Sequence, residues 1–398
     1  MSSVQDPTGT TDTGRQTAAP DAPDVATKPT APGDDSEKRI FVATQRQLIW
    51  WRFRKHKLAM ASLFVVAFFY LIGIFADFLA YSDPQDTSSQ RVFVPPQAVS
   101  VFDGWRPSLA THPLTSQRDP VTFQREYVAD ESTRIPVGFF VHGYEYKLFG
   151  LIRTDIHLIG AKGGARTEDS VFLLGTDELG RDIFSRLLIA TRTSLLIGLA
   201  GVTLSIALGV VLGGISGFYG GITDTIIQRV IEILRSIPTI PLWMGVAAAM
   251  PKTWSIERIY FAITLIISLI GWTELGRVVR GRVLQIRDED FVTAAELSGS
   301  RPRRIIFSHI VPLFTSHIIA ATTLALPLMI IAETSLSFLN LGLRPPAISW
   351  GVMLQQAQNI QTVALSPWMM VPVIPVVAAI LAFNFLGDGL RDAADPYS

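Results

Sequence analysis

The chain has no cysteine. That absence excludes disulfides, thiolate metal sites and a cysteine nucleophile, and it leaves the redox compartment unmarked. Charge is scarce as well: Asp, Glu, Lys and Arg make up 17% of the 398 residues, and 34 basic groups balance 34 acidic ones. With no net charge, nothing in the sequence as a whole favours nucleic acid or an anionic surface, so any electrostatic partner must act locally. The sequence also lacks a GxxxxGK[ST] loop, whose backbone amides and lysine hold nucleotide phosphates, so it does not hydrolyse ATP in that way. His309 and His317 lack the i, i+4 spacing and the glutamate of a zinc helix, and no metal or cofactor is expected on this chain.

What is abundant is apolar side chain, at 48%. So apolar a chain of this length reads as an integral membrane protein. Residues 1–38, rich in Thr, Asp, Pro, Gly and Ala, offer too little to bury and are expected to be a disordered cytoplasmic tail. In 39–82, Trp50 and Trp51 suit a bilayer interface, and Arg52, Arg54, Lys55 and Lys57 hold the N-terminus in the cytoplasm before the first apolar run. Six runs approach the roughly 20 residues that a helical crossing needs: Leu58 to Leu79, Ser194 to Ile215, Ile233 to Met250, Ile259 to Val278, Leu313 to Phe338 and Pro367 to Leu386. The third is interrupted by Arg235, Pro238 and Pro241. The expected fold is thus an all-α membrane protein of six transmembrane helices, both termini cytoplasmic. Residues 83–192 form a periplasmic insertion between the first two helices, and 193–398 form a five-helix core. The inside loop 279–312 and its flank carry Arg277, Arg280, Arg282, Arg287, Arg301, Arg303 and Arg304, in keeping with the positive-inside rule.

Two parts of the insertion have local patterns. GFFVHGYEYKLFGLIRTDIHLIG alternates around Phe149 and Gly150 and predicts a hairpin. In LLGTDELGRDIFSRLLIATRTS, whose first residues include Gly175, Thr176, Asp177 and Gly180, Thr176 or Asp177 can cap a helix, and Ile183, Phe184, Leu187 and Leu188 fall opposite Arg181, Asp182 and Arg186. The second pattern predicts an amphipathic helix lying on the outer membrane surface, where it gates or braces the mouth.

The stretch FVTAAELSGSRPRRIIFSHIVP at 291–312 interrupts two apolar runs. Ala294 and Ala295 leave a helix face with little bulk, Gly299 suits a left-handed helix end, and Pro302 suits the first turn of the next helix. Ile305, Ile306, Phe307 and Ile310 supply an apolar face, and Pro312 marks the start of the fifth crossing. A plain positive loop would explain the arginines but not the small residues or the turn.

This stretch resembles the cytoplasmic loop of binding-protein-dependent ABC importer permeases. In that loop Glu-Ala-Ala is followed by Gly and, thirteen residues later, by Pro. Ala294, Ala295, Gly299 and Pro312 match, whereas Thr293 replaces the usual glutamate and removes an ion pair. LLGTDELGRDIFSRLLIATRTSLLIG, GFYGGITDTIIQRVIEILRSIP, ETSLSFLNLGLRPPAISWG and FNFLGDGLRDAADP extend the likeness to the C-type permeases of dipeptide, oligopeptide and nickel importers, over about Arg46 to Pro396.

The resemblance implies a type I importer permease in the bacterial inner membrane, moving peptides by alternating access. Its expected partners are a second homologous permease, two ATP-binding subunits that carry ATP and Mg, and a periplasmic substrate-binding protein, besides membrane lipid. The implied ATPase-docking residues are Thr293, Ala294, Ala295, Glu296, Gly299, Ser300, Arg301, Pro302 and Arg303. A nickel chelate or an oligosaccharide is the alternative cargo. An intramembrane enzyme or a passive channel is a more distant reading: GISG at 214–217 is better read as small residues for close helix packing than as a protease serine loop. Glu333, inside the fifth crossing, and Glu274, expected to pair with Arg277, are candidates for the translocation path or for polar helix pairing.

Overall fold

The structure, a computed structural model, describes residues 44–103, 106–118, 120, 125–162, 167–251 and 253–394; the expected disordered tail, 1–38, lies outside them. Contacts divide the chain into Met1–Leu48, of which only 44–48 are described, and Ile49–Ser398. The helices before the insertion are α1 (Gln45–Lys55), α2 (Lys57–Ile74) and α3 (Ala76–Leu79). After the insertion and a short α4 (Thr167–Ser170) come α5 (Ile183–Tyr219), α6 (Gly221–Ser236), α7 (Thr239–Ala248), α8 (Ile256–Ile286) and α9 (Asp290–Leu297). The chain closes with α10 (Pro302–Phe338), α11 (Trp350–Gln356), α12 (Ile360–Leu365) and α13 (Val373–Ala394).

Among the described residues, five helical stretches are long and apolar enough to cross a membrane: Lys57–Ile74, Ile183–Tyr219, Arg258–Ile286, Pro302–Phe338 and Pro367–Ala394. They correspond to five of the six expected crossings. The segment expected to be the third crossing divides instead. Ile237 is extended (φ −90°, ψ 128°), as a residue before proline prefers, and α6 ends at Ser236. The following α7 has only 10 residues, about 15 Å of helix against a hydrocarbon core of about 30 Å.

The separate surface helix expected near Arg181 does not form. Ile183–Tyr219 is a single helix of 37 residues, about 55 Å long, so roughly 25 Å of it stands clear of the hydrocarbon. Its N-cap is Asp182, which accepts from the Ser185 amide at 2.7 Å, rather than Thr176 or Asp177. The polar side is enclosed too: Arg181, Asp182 and Arg186 are buried, as are Ile183 and Leu188, whereas Phe184 and Leu187 are half-buried. Arg192, which would otherwise break an apolar helix, pairs with Asp77 at 2.5 Å.

Small residues on α5 bring it against α8 and the start of α10. A β-carbon at Gly217 would stand 2.8 Å from the Arg280 carbonyl oxygen, and one at Gly214 would stand 2.9 Å from Ile306. The packing reading of GISG therefore holds, since only a bare backbone fits so close.

The insertion corrects the all-α expectation. Strands β1 (Ser100–Asp103), β2 (Arg106–Thr111), β5 (Ile135–Leu148) and β6 (Ile152–Ala161) form an antiparallel sheet in the order β1-β2-β5-β6. A second pair joins β3 (Leu114–Arg118) to β4 (Arg125–Ala129). The β5–β6 hairpin turns through Phe149 and Gly150, both at positive φ, where its alternating pattern predicts the turn. A small core of Tyr81, Val137, Ala161 and Val171 ties the sheet to the end of α3.

Candidate functional site

The stretch at 290–304 folds as a short helix, a turn and a new helix. In α9, Val292 is buried and Ala295 half-buried, while Phe291, Thr293, Ala294, Glu296 and Leu297 are exposed. Gly299 has φ 76°. Its amide donates to the Glu296 carbonyl at 2.9 Å, and the Ser300 amide donates to the Ala295 carbonyl at 3.0 Å. This pair of bonds is the left-handed helix stop that satisfies otherwise unpaired carbonyls. Pro302 opens α10 in its first turn, where its missing N–H is not needed.

The first turns of α10 are irregular: Ile305–Ile310 is π-helical and Val311–Phe314 is a 3-10 turn. Pro312 has no amide to give the preceding turn, so the ladder must adjust there. Of the expected apolar face, Ile305, Ile306 and Ile310 are buried, but Phe307 is exposed. Arg301, Arg303 and Arg304 stay at the surface.

One apolar cluster runs from this stretch into the helical body. Val292, Ile305, Ile310, Phe314 and Ile318 pack with Leu275, Val279 and Val283 of α8, and Ala295 borders them. Leu275 also lines a cavity of about 1040 Å³ between α7, α8 and α10. A close-packed interior transmits displacement rather than absorbing it, so α9 is mechanically joined to the cavity wall.

The cavity wall is mostly apolar, with Thr239, Thr273, Glu274, Ser335, His317, Arg235 and Arg391 among its polar groups. Glu274 pairs with Arg235 across the break before Pro238, not with Arg277, which is exposed. Sequence spacing favours Arg277, one turn along the same helix; the packing of α6 against α8 supplies Arg235 instead. Glu333 is not in the cavity wall. It is fully buried, accepting from Ser194 at 3.1 Å and Ser337 at 2.9 Å. Ser194 also receives the Trp350 amide at 3.2 Å, so the carboxylate knits α5, α10 and α11 together.

At the Ile183 end of α5 lies a second polar layer, formed by the residues expected to gate the mouth. Gly175 and Gly180 take positive φ in the connecting loop, and Thr176 accepts the Val94 amide at 2.8 Å. Asp177 receives Arg181 at 2.8 Å and lies 3.7 Å from Arg186, which donates to Gln356 at 3.0 Å. Asp182 accepts from Tyr81 at 2.7 Å. Burial pushes the Asp182 carboxyl up to about 6, against the lowering effect of its bonds from Ser185 and Tyr81.

Sequence reasoning missed the bidentate pair between Asp224 of α6 and Arg280 of α8, both bonds 2.6 Å. Arg280 holds the Asp224 carboxyl below the usual carboxylate range. The pair is 56 positions apart, and no local pattern signals it.

The profile of the family described as binding-protein-dependent transport system inner membrane component matches residues 209–397. That of the N-terminal TM domain of oligopeptide transport permease C matches residues 44–96. Among curated relatives, the oligopeptide transport system permease protein OppC of Bacillus subtilis (strain 168) is 38% identical over 223 residues, 56% of this chain and 70% of the relative. The OppC protein of Haemophilus influenzae is 36% identical over 244 residues, covering 61% and 75%. The dipeptide transport system permease protein DppC of Lactococcus lactis subsp. cremoris is 29% identical over 367 residues, covering 92% and 94%, so that likeness includes the insertion.

Proposed function

This chain belongs to the binding-protein-dependent transport permeases, a family of multi-pass, non-catalytic membrane subunits, and we propose that it is the C-type permease of a peptide importer. Its relatives are named for oligopeptide and dipeptide transport, which supports peptide cargo. The observation that carries the mechanism is the apolar cluster joining α9 to the cavity wall through Val292, Ile310 and Leu275.

In this reading, ATP and Mg belong to two partner subunits. The exposed side of α9, with Ala294, Leu297 and the Thr293 and Glu296 side chains, seats in a cleft of one of them. Closure of the partners shifts α9, the cluster moves with it, and the cavity changes the side to which it opens. Differential contacts with the two states supply the driving force, as alternating access requires. The open side of the cavity is where a second permease completes the path: Ile222, Ile226, Val230, Ile233 and Ile237 form an exposed apolar stripe on α6 beside it. A substrate-binding protein delivers cargo at the opposite face.

The proposed orientation puts both termini in the cytoplasm of an inner-membrane protein and residues 83–192 outside. Because the chain has no cysteine, Ser116→Cys gives a unique reporter of side. A membrane-impermeant maleimide should label it from outside only. The function itself is tested by co-purifying the chain with its ATPase subunits and measuring peptide-stimulated ATP hydrolysis in liposomes. Peptide uptake without nucleotide would overturn the reading in favour of a channel.

A further inference from the structure

The β5–β6 hairpin ends in Lys147-Leu148-Phe149-Gly150-Leu151-Ile152-Arg153. Lys147 and Arg153 are direct cross-strand partners, with Leu148 opposite Ile152 one step nearer the tip. Like charges facing each other across a ladder destabilise it unless something anionic lies between or beside them. Both side chains are exposed, and neither has an ion-pair partner among the described residues. Beyond them the tip is bare apolar surface: Leu151 is 85%, Ile152 60% and Phe149 55% exposed.

The position of this tip is fixed by aromatic contacts. Phe149 meets Phe75 edge-on, ring centroids 5.7 Å apart, and Phe75 directly follows the last residue of the first span. Phe140 lies 6.2 Å from Phe78, one turn farther out. The hairpin therefore packs beside Phe75 and Phe78, and its tip is level with the end of α2. There Leu71 and Ile74 are themselves exposed, so the lipid-facing side of the span and the tip form neighbouring apolar surfaces.

We infer that the hairpin tip is immersed in the lipid leaflet at the Ile74 end of α2, with Lys147 and Arg153 bound to lipid phosphates. From the basic pair to the turn is about two strand residues, or roughly 7 Å. That reach matches the 5–10 Å, approximately, by which interfacial elements enter the headgroup and acyl boundary. Basic side chains at headgroup level and apolar ones below are the arrangement that an anionic bilayer surface recognises. The inference rests on the multi-pass membrane placement and not on cargo or ATPase coupling.

The test uses the absence of native cysteine. Leu151→Cys, Ile152→Cys and, as an aqueous reference, Ser116→Cys are each labelled with an environment-sensitive fluorophore. The labelled permease complex is placed in nanodiscs of phosphatidylethanolamine and phosphatidylglycerol. At 151 and 152, iodide should quench several-fold less than at 116, and lipid carrying a nitroxide near the headgroup end of its acyl chain should quench several-fold more. Adding Lys147→Glu and Arg153→Glu should return both positions toward the iodide-accessible value. Iodide quenching equal at all three positions would overturn the inference. So would shielding without nitroxide quenching, or shielding that arises only when the substrate-binding protein is added, since either assigns the tip to a protein partner. Peptide-stimulated ATP hydrolysis measured on the same samples separates failure of this inference from failure of the transporter reading.

Discussion

Replacing Gly299 is the most informative single perturbation, because the structure isolates its cost. The residue sits at φ 76°, and a β-carbon there would meet nothing within 4 Å. A side chain thus creates no clash and fills no cavity; its whole effect is on the backbone. For an ordinary L-residue the left-handed conformation costs about 1–2 kcal/mol, which lowers the ratio of closed to open turn by roughly five- to thirty-fold. Valine should sit at the upper end because its branched β-carbon crowds the following carbonyl, and asparagine should recover much of the loss because it tolerates this region.

Two assays read the consequence separately. The Ser300 amide donates to the Ala295 carbonyl only while the turn is closed, so its hydrogen exchange should quicken in Gly299→Val by about the same factor, five to thirty, and less in Gly299→Asn. Peptide-stimulated ATP hydrolysis by the reconstituted complex should fall in the same order, with the chain still inserted and paired. If Val and Asn variants hydrolyse alike, or if exchange quickens with coupling intact, the turn does not position α9 for a partner. The reasoning would then fail.

Other substitutions probe the neighbouring links. Ala295→Trp must push α9 off the cluster around Val292, at about 1–3 kcal/mol of overpacking; pull-down of the ATPase subunits should drop while membrane insertion is unchanged. Asp224→Asn removes charged hydrogen bonds to Arg280, a loss of about 1.5–3 kcal/mol, and should lower the melting temperature in detergent at neutral pH. The Asp224 carboxyl is held low in the folded state, so its stabilisation is present above the unfolded value near 3.8 and is lost as pH falls through the folded value. The difference between wild type and Asp224→Asn should therefore shrink in acid. Asp182 runs the other way: its folded value of about 6 lies above 3.8, so its contribution is full below 3.8 and is lost as pH rises to about 6. The span is on the order of 3 kcal/mol, and Asp182→Asn should flatten that part of the stability profile measured by tryptophan fluorescence.

The features legible in the sequence were those set by neighbours in the chain. Gly299, Pro302 and the turn at Phe149 and Gly150 declare themselves because their chemistry is local: a helix stop, a helix start and a tight reversal each need particular residues at adjacent positions. The errors came where distant residues decide. Arg186 reads as the wet side of a surface helix until Gln356, 170 positions later, supplies its partner. Arg192 reads as a helix boundary until Asp77 neutralises it. The strands of the insertion between Ser100 and Ala129 are only four to six residues long, too short for alternation alone to reveal them. Glu333 could be called a path residue or a pairing residue from sequence; its bonds from Ser194 and Ser337, whose positions lie 139 residues before it and one turn after it, could not be read there.

The break between α6 and α7 and the cavity beside it explain each other. Pro238 and Pro241 deprive the segment of amides and force Ile237 to extend, so no single helix can run from Gly221 to Ala248. Irregular backbone at membrane depth persists only where protein encloses it or where it borders a water-filled space. Here Ile237, Pro238, Thr239 and Ile240 all line the cavity, and Arg235 at the end of α6 pairs with Glu274 on its wall. A straight helix in place of this segment would fill the space with its own side chains. The prolines therefore deny the segment a further regular helix and leave room between α8 and α10, the space that the proposed transporter reading would use for cargo.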